Sequence, residues 1–143
     1  MTERLPIQFR PDPSSDVVDA IADGLNRFNL THGIDDAHAS FALVIEDADG
    51  NVVGGVNAAM FFGWLAIDLL WVDDRYRGQG YGAELMQQAE AIGRERGCQL
   101  AYLNTLSFQA PAFYESLGYT EFAELQNDAL GFKRHYFQKK LQP

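Results

Sequence analysis

The sequence predicts a single mixed α/β domain over residues 1–143, and three observations predict it. Apolar residues alternate every second position in several stretches and recur every third or fourth position in others, so strands and helices both belong to the fold. The length suits one domain, which can hide roughly two thirds of the surface its unfolded chain exposes. Hydrophobic residues make up 47% and charged residues 22%, with a mean hydropathy of -0.20, the balance of a soluble globular protein.

The elements follow in order. "LPIQFR" (5–10) alternates like a short strand, and "PDPSSD" ends it and offers Ser14 or Ser15 as a helix N-cap. Val17, Val18, Ile21, Leu25 and Phe28 then form one helical stripe through about Leu30, before the polar loop "THGIDDAHAS". "FALVIED", "NVVGGVNAAMFF" and "WLAIDLLWV", separated by "ADGN" and "FGW", read as an antiparallel meander, with a bulge suggested at Gly54 and Gly55. From Gly80 the period is helical: Leu85, Met86, Ala89, Ile92 and Gly93 share a stripe, and Gly97 stands where a glycine would stop the helix. "CQLAYLNTL" is a further strand, and "APAFYESLG" a short helix with Pro111 in its first turn. "YTEFAEL" and "FKRHYFQKK" close the chain as two strands. No linker, repeat or low-complexity segment interrupts them.

Composition excludes several function classes. A formal charge of -9 argues against binding driven by a phosphate backbone, which needs clustered cations to displace counterions. Lys133, Arg134, His135, Lys139 and Lys140 are the local exception, and read as a solvated strand face and tail. The single cysteine, Cys98, excludes an internal disulfide and a multi-thiolate metal site, so no metal is expected. Neither a signal-peptide core nor an apolar run of about 18 residues is present, so the expected address is the cytoplasm, away from membranes.

The stretch "RYRGQGYGAELM" (75–86) carries the chemistry. Glycines between a strand and a helix suit an anion, because first-turn N–H groups and the helix dipole favour negative charge and bare backbone lets it approach. Arg75 and Arg77 can add positive charge at the rim. From the glycines alone, a plain glycine-rich helix entry stays open. The P-loop pattern is absent. The dinucleotide pattern can be laid on Gly78, Gly80 and Ala83, but Gln99, Leu100, Asn104 and Thr105 stand where a ribose-binding acid belongs.

"LLWVDDRYRGQGYGAELM" resembles the acyl-CoA pyrophosphate segment of the GNAT N-acetyltransferase family, whose R/Q-x-x-G-x-G/A motif is matched by Arg77, Gly80 and Gly82. "FQAPAFYESLGY" is similar to the same family's helix ending in "FYxxxGF", and the element order agrees over essentially the whole chain. The resemblance implies a GNAT-type fold, a mixed and mostly antiparallel sheet of six to seven strands flanked by helices. It further implies an enzyme that transfers the acetyl group of acetyl-CoA to a primary amine by direct attack in a ternary complex. The co-substrate is implied to lie on Leu70, Trp71 and Val72 through main-chain hydrogen bonds, and on Arg77, Gly78, Gln79, Gly80, Tyr81, Gly82 and Ala83 through its diphosphate. An N–H near Val72 is implied to polarise the thioester carbonyl. A plain buried strand would show the same three residues.

Tyr114 falls where the family places the tyrosine that protonates the departing thiolate; a packing tyrosine beside Phe113 and Leu117 is the competing reading. Gln109 stands where the family usually has Asn contacting the CoA arm, and reaches one methylene further. Asn104 is a candidate to orient acceptor or cofactor. The base is open: Asp68 is a lone carboxylate in an apolar strand, assigned by alternation to the face of Ala66, Leu70 and Val72, and either holds a water as base or is a structurally hydrogen-bonded aspartate. Alignment on the glycine loop puts Ala66, two residues earlier, where histone-modifying members carry their glutamate. His32, His38 and Glu46 are weaker candidates near the acceptor, and Cys98 reads as a small buried residue. Phe28, Phe41, Phe61, Phe62, Trp64 and Trp71 are expected mostly in the core. The acceptor, a small-molecule or peptide amine, is not legible, and the family's habit of dimerising raises a homodimer. A non-catalytic acyl-CoA sensor and, behind it, an NAD-dependent oxidoreductase are the alternative functions.

Overall fold

The computed structural model describes residues 3–143, which fall into two compact units, 3–35 and 36–143.

In the first unit, residues 5–10 do not form the expected strand. Leu5, Ile7 and Phe9 are exposed, and Pro6 cannot donate to a ladder, so alternation without a pairing partner leaves irregular chain. Helix α1 runs Ser15–Thr31, with Ser14 as N-cap. The carbonyl of Ser14 accepts from the N–H groups of Val17 and Val18. The stripe is there, but Val18, Ile21, Leu25 and Phe28 all remain half exposed or more.

The second unit is built on a six-stranded sheet in the order β1-β2-β3-β4-β6-β5. Its strands are β1 (Ala39–Glu46), β2 (Val52–Phe61), β3 (Trp64–Val72), β4 (Leu100–Leu106), β5 (Thr120–Asn127) and β6 (Phe132–Lys140). The first three form the expected meander. Helix α2 (Tyr81–Glu95) then carries the chain back, which makes β4 parallel to β3. After the short helix α3 (Pro111–Ser116), β6 inserts between β4 and β5, antiparallel to both.

The core lies between α2 and one face of this sheet. Leu85, Met86 and Ala89 pack with Val56, Ala58 and Met60 of β2, Leu65 and Ile67 of β3, Ala101 and Leu103 of β4, and Phe137 of β6. Gly93 lets α2 approach, since a Cβ there would meet Leu65 at 3.1 Å. Gly97, at φ 79°, ends the helix as read.

Two register shifts correct the expected bulge. Between β1 and β2, Ile45 faces Gly54 and Glu46 faces Val52, so the extra residue is Val53, just before the two glycines. Gly55 answers a different need, because a Cβ there would lie 2.7 Å from the Leu43 carbonyl oxygen. The second shift lies opposite Asp68, with Ala58 facing Ile67 and Asn57 facing Leu69.

Candidate active site

The pairing of β3 with β4 is short. It runs from Trp64↔Leu100 to Ile67↔Leu103 and stops, although β3 continues to Val72 and β4 to Leu106. The strands thereby leave a cleft of about 780 Å³, lined by residues 67–72 of β3, Leu103, Asn104 and Thr105 of β4, the segment from Tyr76 to Ala83 apart from Gln79, and Phe108, Gln109, Ala110, Phe113 and Tyr114. Of the residues read from sequence, Asp68, Leu70, Trp71, Val72, Arg77, Gly78, Gly80, Tyr81, Gly82, Ala83, Asn104, Gln109 and Tyr114 line it, and Gln79 lies outside that lining.

The ladder with β2 decides which main-chain groups of β3 face the gap. The Asp73 N–H donates to Val53 O at 2.8 Å. Alternation along an antiparallel pair then turns Trp71, opposite Gly55, toward β2, and turns the N–H groups of Leu70 and Val72 the other way, toward the missing partner. Trp71 therefore does not share the main-chain role expected for it.

Beyond β3 the chain turns through a short 3-10 segment, Asp74–Tyr76, capped by Asp73, whose Oδ1 accepts from the Arg75 N–H at 2.9 Å. Gly78 and Gly80 sit at φ 77° and 85°, and a Cβ added at either would meet nothing within 4 Å, so their backbone needs glycine and their surroundings are open. The Glu84 N–H donates to Gly80 O at 3.1 Å. The amides of Tyr81, Gly82 and Ala83 precede this first intrahelical bond and stand at the cleft, a donor set that fits a diphosphate. Gly82 has a packing reason instead, since a Cβ there would meet the Phe113 ring of α3 at 3.3 Å. The expected positive rim is compensated: Arg75 pairs with Asp73 at 3.0 Å and Arg77 with Asp74 at 2.6 Å. Arg77 Nε also donates to Val72 O at 2.8 Å, tying the loop to the end of β3.

Tyr114 projects from α3 among Phe113, Tyr119 and Phe137, whose ring centroids lie 5.1, 6.2 and 6.3 Å away. Burial pushes its phenol above the usual tyrosine range, so it stays protonated at neutral pH. Gln109 turns its side-chain oxygen back on its own loop, accepting from Leu106 N–H at 2.8 Å and from the Thr105 hydroxyl at 3.3 Å.

Asp68 is exposed rather than buried, and the bulge changes its face. Leu65, Ile67, Leu70 and Val72 all pack toward α2, so the sheet face shared by Asp68, Leu70 and Val72 in simple alternation does not exist. Burial first, and then the Asp68 charge, raise the Tyr102 phenol. Tyr102 meets Trp64 edge-on at 6.3 Å, and Trp64, Phe62, Phe61 and His38 continue as a row of ring contacts. Phe62, Trp64 and Trp71 are nearly half exposed, not core as expected, while Phe41 packs against the core. The exposed three lie outside the core that α2 covers.

The weaker candidates scatter. His32 caps α1 and meets Phe28 at 5.1 Å, Glu46 ends β1, and Cys98 is buried with its thiol pushed up by burial. Among the described residues one set of metal-capable groups meets, Glu121, Glu124 and His135. The His135 Nδ1 already contacts Glu121, and Lys133 pairs with Glu124 at 3.4 Å.

Sequence reading missed a buried network behind α3. Glu90 is 2% exposed and accepts from the Tyr119 hydroxyl at 3.0 Å and from Lys139 Nζ at 2.7 Å. Glu90 falls one residue from the apolar stripe of α2, and nothing in one sequence pairs it with a lysine 49 positions away.

Comparison with known proteins identifies the family and the fold. The chain matches the profile of the acetyltransferase (GNAT) family over residues 7–119. It is 40% identical to blasticidin-S acetyltransferase of Streptomyces morookaense over 64% of this chain and 68% of that protein. An acetyltransferase of Agrobacterium fabrum is 35% identical over 78% of this chain and 85% of the relative. A crystal structure of an acetyltransferase from Bacillus cereus superposes with a TM-score of 0.78 at 32% identity, covering 93% and 97% of the two chains.

Proposed function

The chain belongs to the acetyltransferase (GNAT) family, and from that premise we propose that this acetyl-CoA-dependent N-acetyltransferase acts on a cationic small-molecule amine held beside Asp68. The observation that carries the reading is the early end of the β3–β4 ladder, which leaves the Leu70 and Val72 amides facing a cleft that ends at the glycine loop.

When bound, acetyl-CoA supplies a thioester, an activated acyl group. In the proposed arrangement the Leu70 main chain holds the pantetheine arm as a neighbouring strand would. Gly78, Gly80, Tyr81, Gly82 and Ala83 hold the diphosphate through backbone N–H groups, with Arg77 as the tether of that loop and Gln79 as its outer residue. The Val72 N–H is the donor for the carbonyl oxygen, where negative charge grows. Asn104 and Gln109 orient the arm from β4 and the following turn. The amine nitrogen forms a bond to the carbonyl carbon as the C–S bond breaks. Its proton leaves to water held by Asp68, and the Tyr114 hydroxyl supplies the hydrogen bond and proton that sulfur takes up.

Two observations support a cationic acceptor: the exposed Asp68 carboxylate at the edge of the cleft, and the overall charge of -9. One relative is named for blasticidin S, which supports a small molecule over a peptide. The same charge argues against nucleic acid. Among the described residues no helix is long and apolar enough to cross a membrane, and the reading places the enzyme in the cytoplasm. The family's habit of dimerising extends it to a homodimer, checked by light scattering.

A thermal-shift series with acetyl-CoA, free CoA and NAD tests the cofactor: stabilisation by the CoA species alone is expected, and by NAD alone would end the proposal. A panel of amines read by thiol release tests the acceptor. Mono-amines without a second cation outpacing polycationic ones would remove the acceptor reading, and no release from any amine would favour a sensor.

A further inference from the structure

Helix α3 is six residues long, every one of them at least partly exposed, and it starts at Ala110, whose side chain cannot cap it. A helix under two turns does not hold itself in place. What holds it is behind it. Lys139 Nζ, from β6, donates to Leu117 O at 2.8 Å, satisfying a carbonyl that the helix end leaves open. The same ammonium donates to Glu90 of α2, which also accepts from the Tyr119 hydroxyl, and lies 5.6 Å from the Tyr119 ring centroid. Tyr119 in turn donates its N–H to Tyr114 O at 3.1 Å and sets its ring edge-on to the Tyr114 ring. Arg94 completes the group, 3.6 Å from Glu90 and bonded to Leu141 O at 3.0 Å.

A buried ion pair adds little stability compared with apolar residues of the same volume, because desolvation offsets the attraction. Its distinctive contribution is direction: fixed hydrogen bonds set one geometry where apolar packing tolerates several. We propose that Glu90 and Lys139 are positioning residues, which fix α3 and the Tyr119 ring so that the Tyr114 hydroxyl points into the cleft at one place. The consequence for turnover rests on the reading of Tyr114 as proton donor; the consequence for its position does not.

The test labels the six tyrosines with 3-fluorotyrosine and assigns the Tyr114 fluorine signal with Tyr114→Phe. Lys139→Met, and the Glu90→Gln/Lys139→Met pair as a variant without a buried unpaired charge, are expected to shift or broaden the Tyr114 and Tyr119 signals. Tyr76 and Tyr81, at the glycine loop, are expected to keep theirs, with acetyl-CoA affinity within about twofold. Lys139→Arg should restore the signal. With the fastest amine of the panel, Lys139→Met should lower kcat on the order of tenfold at unchanged KM for acetyl-CoA, and add nothing in a Tyr114→Phe background. An unmoved Tyr114 signal in both variants overturns the proposal, as does a spread of changes reaching Tyr76 and Tyr81, which marks a general structural role. Full turnover in Tyr114→Phe would instead sink the proton-donor reading and leave the signal to judge position.

Discussion

Strand β3 is two different objects on either side of Asp68. From Trp64 to Ile67 it is paired on both edges, to β2 and to β4, and its core residue Leu65 is 0% exposed. From Leu69 to Val72 it keeps β2 and loses β4, and Leu69 is 68% exposed. Composition does not distinguish the halves, both of which are apolar. What distinguishes them is whether the backbone has a second partner: where it has one both edges are hydrogen-bonded, and where it lacks one the N–H groups of Leu70 and Val72 face the cleft and form the binding edge of the proposed reading. The bulge at Asp68 is the joint, placing an exposed carboxylate at the point where the partner strand departs.

The largest expected effect breaks the paired half. Leu65→Ala empties the best-buried position of β3 and should cost about 2–5 kcal/mol of unfolding free energy by denaturant titration. Because the cleft begins only at the last pair, Ile67 with Leu103, and does not include Leu65, the folded fraction should keep its KM for acetyl-CoA. A KM that rises in step with lost stability would mean that the halves are one unit.

Next in size is a pair of proline substitutions that asks the main chain directly. Val72→Pro removes an N–H that faces the gap, so the sheet keeps its ladder while kcat should fall about 10²-fold, the scale of one oxyanion donor. Trp71→Pro removes an N–H that faces β2 and should instead lose stability. Equal loss of stability in both would dismiss the alternation on which the cleft reading rests.

Much of this is legible in the sequence, and the limits are instructive. The sequence signals locate the α-helices and strands of the described residues but not the 3-10 segment Asp74–Tyr76, and they add a leading strand that does not form, because Leu5, Ile7 and Phe9 alternate without a partner. The glycine loop is legible as a candidate anion site because Gly78 and Gly80 serve backbone needs that other residues meet at a cost. Gly82 looks like one more of these but is not, since its reason is the Phe113 ring on another helix, and distance in space is absent from a sequence. The face of Asp68 is hidden for a related cause: one extra residue in a register inverts every side chain after it. The Glu90–Lys139 pair joins elements that only the sheet order β4-β6-β5 brings together.

Tyr114→Phe follows in size and probes the wall opposite the open half. General acids contribute roughly 10²–10⁴-fold, and the low end is expected because water reaches a cleft this open. Burial raises the phenol above its ordinary value of 10.0, so the donor form persists through that pH. Wild-type kcat should therefore show no alkaline fall below that point, and a fall centred near pH ~9, well under the ordinary phenol range, would assign the limb to another group.

The smallest effect concerns the turn that joins the open half to the glycine loop. The Arg75 side chain first, and its N–H second, hold the Asp73 carboxyl below the usual carboxylate range. A depressed pKa means that the ionised form is favoured in the folded chain. The contribution is therefore complete above the ordinary value of about 4 and is lost as pH falls through the lower, folded value. Asp73→Asn keeps an oxygen for the Arg75 N–H and loses the charge, so it should weaken the turn slightly near neutral pH and converge with wild type below about pH 4 in thermal melts. Exposure and salt keep the effect small, and added salt should shrink it further. Leu65→Ala, measured over the same range, should keep a constant cost, because no proton is exchanged at that site. If the Asp73 difference persisted unchanged in acid, the turn would be held by packing like the paired half, and the two halves of β3 would differ less in kind than their edges indicate.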